Sequence, residues 1–396
     1  MLESLAYIFL LSMALGYIFT RLRLPALIGM LIAGMALGGH GMGLLDESLM
    51  AISLPVRQIA LVVILMRAGL ALNVGDLRQV GRSATMLCFV PACFEIVGFT
   101  LLGTLAFDIP LLDAAIMGAV VAAVSPAVVV PKMLDLMARG EGSKKGIPQM
   151  IMAGGSVDDV FVIVVFTALI SLAQGGEVSL LSFAQVPISI VLGLFVGVAS
   201  GSLLVAYFKR FHIRDSLKLL IMLSTSFLLM SAEGVLKSRW GVSMSALLAV
   251  MTIGATTLRQ YPALAHRLSS KFSKLWVAAE IMLFVFVGAS VDLDYAWAAG
   301  VWAVVLILGA MAFRMSGVYV SMVGSSLNIR ERLFCMIAYS PKATVQAAIG
   351  SIPLALGLPC GEMVLTVAVL AILITAPLGA IGIDLTHKKL LTNEPH

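Results

Sequence analysis

Long apolar runs alternate with short polar connectors along the whole chain. A membrane-spanning helix needs ~20 mostly apolar residues. On that measure the pattern predicts thirteen helices, at 4–20, 25–42, 55–72, 85–106, 110–134, 147–173, 181–207, 217–235, 242–258, 274–291, 296–324, 331–355 and 362–384. No linker or low-complexity stretch sets off a second domain, so residues 1–396 read as one transmembrane unit of all-α, polytopic class.

Charge in the connectors gives the orientation. Basic residues occupy alternate connectors: Arg21 and Arg23; Arg78 and Arg82; Lys132, Arg139, Lys144 and Lys145; Lys209, Arg210, Arg214 and Lys218; Arg259, Arg267, Lys271 and Lys274; Arg330 and Arg332; Lys388 and Lys389. The opposite connectors carry Asp46, Glu47, Asp108, Glu177, Asp292, Asp294 and Glu362, and only Lys237 and Arg239 break the alternation. The positive-inside rule then predicts an external N-terminus and a cytoplasmic C-terminus. The net charge of +5 is therefore a topology signal and gives no reason to expect a nucleic-acid partner. With 12% charged residues, against about 25% in a soluble domain, the chain is expected to be an integral membrane protein among lipids, in a bacterial inner (plasma) membrane. The first apolar run follows Glu3 with no basic segment before it, and reads as a retained span rather than a cleaved signal.

Two predicted helices are interrupted. The fifth contains Val124-Ser125-Pro126 and the twelfth contains Ser340-Pro341-Lys342. Proline removes a helical hydrogen bond and clashes with the preceding turn. At membrane depth such a break is tolerated where the freed backbone faces protein or a cavity. The fifth and twelfth helices are an odd number of crossings apart, so they run in opposite directions. Six helices, a connector and six more would form an inverted repeat with equivalent broken members. Paired breaks of this kind are the best sequence pointer to a transport site.

The helix after the first break holds Asp158-Asp159 in an otherwise apolar stretch. A carboxylate at the bilayer centre costs about 3 kcal/mol even on lenient scales, which argues that the pair has work to do. Burial penalises the charged carboxylate, so a proton and a small cation such as Na⁺ or Li⁺ would compete for the same oxygens. The hydroxyls of Ser125 and Thr344, within the two breaks, are candidate additional ligands; satisfying the helix backbone is their ordinary role. Glu95 and Arg314 lie mid-span in the fourth and eleventh helices, equivalent positions of the proposed repeat. A buried charge needs a partner, so the two are expected to form a core ion pair, with a purely structural role as the competing account. Lys342 follows Pro341 and could offset the negative end of a half-helix, approach the aspartates, or simply snorkel. Arg67 and Glu280 suit interfacial or inter-helix pairing, and Asp113 and Glu233 suit solvent contact near span ends. Cys88, Cys93, Cys335 and Cys360 show no metal spacing and fit core packing. No cofactor-binding loop, metal-spaced His/Cys set or nucleophile triad appears, so no enzyme activity and no cofactor is expected.

These stretches, with Leu65-Met66-Arg67-Ala68-Gly69-Leu70, Val128-Val129-Val130-Pro131, Gly155-Ser156-Val157 and Thr344-Val345-Gln346-Ala347-Ala348, resemble the cation/proton antiporter superfamily, and within it the two-aspartate NHA-type sodium/proton antiporters. The resemblance runs over almost the whole chain. It implies an NhaA-like fold with crossed broken helices, a homodimer, and elevator-like alternating access. By that resemblance 85–173 and 296–384 form the ion-transport core, 1–84 and 217–291 the dimerisation scaffold, and 181–207 a linker helix. It makes Asp158 and Asp159 the ion-binding pair, Asp159 the essential carboxylate, and Glu95–Arg314 a core ion pair. The chain departs from many relatives in having Val124-Ser125-Pro126 where they have Thr-Asp-Pro, and Arg314 where some have lysine. Arginine keeps its proton in proteins, which counts against a proton carrier at position 314.

The function expected is exchange of Na⁺ or Li⁺ for H⁺. A K⁺/H⁺ antiporter or K⁺ efflux protein of the same fold is the alternative. An intramembrane aspartyl protease is a remote one, because that chemistry brings two carboxylates together on one site and adjacent helical residues diverge by about 100°.

Overall fold

A computed structural model describes residues 1–71, 81–142, 145–174, 180–240 and 244–391. Arg78, Lys144 and Glu177 of the readings above lie outside these residues. All regular structure among the described residues is helical. Among the described residues, ten helices are long and apolar enough to cross a membrane: Leu2–Arg21, Ser53–Ala71, Arg82–Phe107, Leu111–Ala138, Ile147–Gln174, Ile188–Arg210, Asp215–Leu236, Pro262–Ala289, Gly300–Ser321 and Gly361–Leu390. Shorter helices are Ala26–Leu37 and Ala246–Gln260, and the 331–355 segment is divided into Ile329–Ala338, Thr344–Ile349 and Ile352–Ala355. The chain forms two compact units, one of Met1–Leu54, Gly75–Phe166 and Leu283–His396, the other of Pro55–Val74 and Thr167–Met282.

Three boundaries differ from the sequence reading, each for a local reason. The helix expected over 25–42 stops at Leu37, where Gly38, Gly39 and Gly41 turn the chain. The helix expected from 274 begins at Pro262. Its basic first turns are accommodated because Arg267 is half exposed and donates to Asp215, 2.8 Å away; long cationic side chains keep an apolar stem on the helix and a charged head outside. The helix expected over 85–106 is interrupted at Cys88-Phe89, between Arg82–Leu87 and Val90–Phe107. Pro91 has no N–H to continue the ladder from the preceding turn.

Helices in lipid gain little from the hydrophobic effect and associate through close approach of small residues and through interhelix hydrogen bonds. In the second unit Gly69 and Gly254 meet in this way: a Cβ on Gly69 would sit 2.1 Å from the Met251 carbonyl oxygen. In the first unit, Phe334, Cys335, Ala338 and Tyr339 pack in a buried cluster with Leu87, Val124, Met133, Ile151 and Val318. That cluster fixes one side of the two breaks.

Candidate functional site

Helix Leu111–Val121 ends where residues 122–125 leave the helical conformation, and Pro126 starts the next helix, Pro126–Ala138. Proline is well suited to that first position, where its missing N–H would have no partner. The second break is prepared by helix Ile329–Ala338, which opens with a reciprocal capping box between Asn328 and Glu331. Residues 339–343 are non-helical, and the helix resumes at Thr344. The two breaks touch: the Ser125 N–H donates to the Pro341 carbonyl at 2.8 Å. Gly379 of the last helix makes room for this meeting, since a Cβ there would lie 2.3 Å from Pro341 Cγ.

Breaking a helix frees carbonyls and N–H groups that must be satisfied inside the membrane. Here side chains from distant helices do it. Gln346 Nε2 donates to the Val121 and Ala123 carbonyls at 3.0 and 2.9 Å. Arg314 Nη1 donates to the Ala122 carbonyl, and Arg314 Nε donates to the Tyr339 carbonyl at 2.8 Å. The Val124 N–H donates to Asp158 Oδ2 at 2.9 Å. The Lys342 N–H donates to Thr375 Oγ1 at 3.0 Å.

The same side chains make a buried charge cluster. Arg314 lies 3.0 Å from Glu95 Oε2 through Nη1 and 2.8 Å from Asp158 Oδ2 through Nη2. Lys342 Nζ lies 2.5 Å from Glu95 Oε2. The side chains of Glu95, Asp158, Arg314 and Lys342 are each at most 1% exposed. The guanidinium also sits over the Tyr339 ring, 5.2 Å from its centroid, and the Tyr339 hydroxyl donates to the Leu87 carbonyl at 3.1 Å. One planar fork thus ties together both breaks, the aspartate helix and Glu95, a task suited to arginine's five fixed donors.

Five buried oxygens at this place have no hydrogen-bond partner among the described residues: Ser125 Oγ, Asp158 Oδ1, Asp159 Oδ1, Thr344 Oγ1 and Gln346 Oε1. Carboxylate, hydroxyl and amide oxygens are the hard donors that hold hard cations. Asp158 is committed to Arg314 and Val124, whereas Asp159 makes no ion pair among the described residues.

The structure therefore gathers Glu95, Arg314, Asp158 and Lys342 into one cluster, with Ser125, Pro126 and Pro341 at the touching breaks and Thr344 opening the helix after the second. Lys342 pairs with Glu95, a partner outside the three roles that the sequence offered for it. The Asp158–Arg314 pair, Tyr339 and Gln346 were not expected. Arg67 and Glu280 belong to the second unit, where Glu280 interacts with the Arg67 charge and the Trp276 side chain.

The family described as "Sodium/hydrogen exchanger, transmembrane" matches residues 8–389. The chain belongs to the sodium/hydrogen exchanger family. Among relatives, sodium/hydrogen exchanger 9B2 of Homo sapiens is 32% identical over 386 residues, covering 94% of this chain and 71% of the relative. Sodium/hydrogen exchanger 9B1 of Homo sapiens is 32% identical over 391 residues, covering 93% of this chain and 73% of the relative. The solved structure of the sodium proton antiporter MjNhaP1 from Methanocaldococcus jannaschii at pH 8 superposes with a TM-score of 0.84 at 18% identity, covering 98% of this chain and 99% of that one. Membership of this exchanger family, with ten apolar helices of spanning length, makes the chain an integral membrane protein of a transporter family.

Proposed function

We propose that this protein exchanges Na⁺, or Li⁺, for H⁺, with Asp159 as the carboxylate that alternately holds cation and proton. The observation that carries the reading is the charge count. Among the described residues, the charges near Glu95, Asp158 and Asp159 are those of Arg314 and Lys342, which leaves one surplus negative charge in a buried cluster. Such a charge is costly out of water unless it is neutralised. One monovalent cation or one proton neutralises it, and the two compete for Asp159. Arg314 keeps its own proton and anchors Asp158, so it acts as a fixed counter-charge. With Lys342 charged and held on Glu95, one cation replaces one proton and the exchange moves no net charge. Neutralised in either way, the core can carry its cargo across; with neither bound, the surplus charge opposes the movement.

The finer architecture belongs to the same proposal. It comprises thirteen crossings in two inverted six-helix repeats, a core of 85–173 and 296–384, a scaffold of 1–84 and 217–291 with linker 181–207, elevator-like movement, and a homodimer. The touching breaks at Ser125 and Pro341 support the repeat. The expected orientation, N-terminus outside and C-terminus cytoplasmic, rests on the connector charges, and a bacterial inner membrane as its location is part of the same proposal.

The test is Na⁺-induced proton release in proteoliposomes. Wild-type protein should show it and Asp159→Asn should abolish it. Release by Asp159→Asn at the wild-type rate would end the proposal. Running the same assay with K⁺ separates the K⁺-exchanger alternative, which requires K⁺ to drive release at least as well as Na⁺.

A further inference from the structure

Gln346 was singled out by none of the charge arguments, yet it is fully buried at the place where the breaks meet. Its Nε2 is committed to two acceptors, the carbonyls of Val121 and Ala123, at 3.0 and 2.9 Å. A primary amide has two N–H donors and one carbonyl oxygen. Turning the amide over would set its oxygen against two carbonyl oxygens, so the backbone dictates which end is which. The oxygen is thereby fixed on the opposite side of the amide from the first break's carbonyls. That oxygen, Oε1, is buried and has no donor among the described residues. It shares this condition with Ser125 Oγ, Thr344 Oγ1, Asp158 Oδ1 and Asp159 Oδ1. Position links it to them. Gln346 grips residues 121 and 123, Asp158 grips residue 124, and Ser125 follows directly. Thr344 lies two residues before Gln346 on the same short helix.

A buried oxygen without a donor costs free energy unless a ligand satisfies it. The carboxylates can be satisfied by protons. An amide carbonyl cannot be protonated near neutral pH, so a proton at the site leaves Oε1 unsatisfied where a cation would satisfy it. We propose that Gln346 Oε1 is a cation ligand of the exchange site, and that Gln346 sets the preference for the metal ion over the proton. This rests on the exchange reading above. The clamp on Val121 and Ala123 is what makes the ligand rigid, since both amide hydrogens are held by backbone.

The experiment compares wild type, Gln346→Met and Gln346→Asn in proteoliposomes, with Na⁺ and Li⁺ as the driving ions and the pH profile recorded for each. Thermal unfolding of the purified proteins is measured with and without Na⁺. A ligand role raises the apparent KM for Na⁺ at least tenfold in Gln346→Met with a smaller change in kcat. It also shifts the Na⁺/Li⁺ ratio, moves the profile so that protons outcompete Na⁺ at higher pH than in wild type, and shrinks the Na⁺-dependent rise in Tm. Gln346→Asn, with its oxygen withdrawn by one methylene, should change the Na⁺/Li⁺ ratio in the same way, and it carries the test if Gln346→Met does not fold. A lower Tm in both variants with wild-type KM, ion ratio and pH profile would overturn the inference and leave Gln346 as a clamp only. Wild-type protein without any Na⁺-driven proton release would instead overturn the exchange reading, and the ligand role with it.

Discussion

Replacing Arg314 by methionine removes the guanidinium but keeps a long apolar stem. It strips Glu95 and Asp158 of the contacts at 3.0 and 2.8 Å, and leaves the Ala122 and Tyr339 carbonyls without their donor. The buried cluster then holds three carboxylates against Lys342 alone, and its surplus grows from one negative charge to two. Taking one partner from a buried ion pair costs roughly 3–5 kcal/mol, because the charge left behind stays out of water. At ~2–4 °C per kcal/mol for a mid-sized domain, and less for a longer chain, a fall in Tm on the order of 10 °C is expected. Scanning the detergent-solubilised protein by temperature-dependent size exclusion would measure it. The sharper part is the double variant Glu95→Gln/Arg314→Met. Removing one charge of each sign restores the surplus to one, so the double variant should regain at least half of the stability that Arg314→Met loses. Residues that share a network are non-additive in this way. A double variant as unstable as the sum of its two single variants would refute the charge count on which the exchange reading depends.

Gly379→Ala places a methyl group 2.3 Å from Pro341 Cγ, against a rigid ring. Overpacking of this kind costs ~1–3 kcal/mol, and both Tm and exchange rate should fall; an unchanged rate would show that the meeting of the breaks tolerates a shift. Asp292, in the connector before helix Leu293–Ser321, accepts from the Asp294 and Tyr295 N–H groups at 2.9 and 3.0 Å. The Tyr295 N–H, with the His40 charge and the Asp294 N–H, holds its carboxyl below the usual carboxylate range. A group held low contributes stability above its unfolded pKa and loses it as pH falls through the lowered value. The difference in Tm between wild type and Asp292→Asn should therefore shrink as pH drops below the ordinary carboxylate range, and a constant difference would contradict the assignment.

The apolar runs were enough to show an all-helical membrane chain, because a spanning segment carries its signal locally. The breaks were legible for the same reason: Pro126 and Pro341 act on their own turns. Glu95, Asp158 and Arg314 stood out because charge is so rare inside such runs. Who pairs with whom was less legible. Arg314 meets Asp158 as well as Glu95, and Lys342 reaches Glu95 across 247 positions in sequence. Both depend on how the helices turn toward one another, which no local pattern encodes. Gln346, noted only as part of a matching stretch, was given no role for another reason. A glutamine near a helix start looks like any polar residue, and only the orphaned carbonyls of Val121 and Ala123 give it a task. Pro91 was a missed local signal, since it predicts the interruption at Cys88-Phe89.

The carbonyls of residues 121–123 are already occupied by Gln346 and Arg314. With one lone pair of each already engaged, these carbonyls are poorer ligands than the free peptide oxygens that replace an ion's hydration shell in a carbonyl-lined channel filter. On the exchange reading proposed above, an arriving ion would be dehydrated by a few side-chain oxygens of high field strength around Asp159, an arrangement suited to a small ion bound one at a time rather than to a file of ions passing in procession.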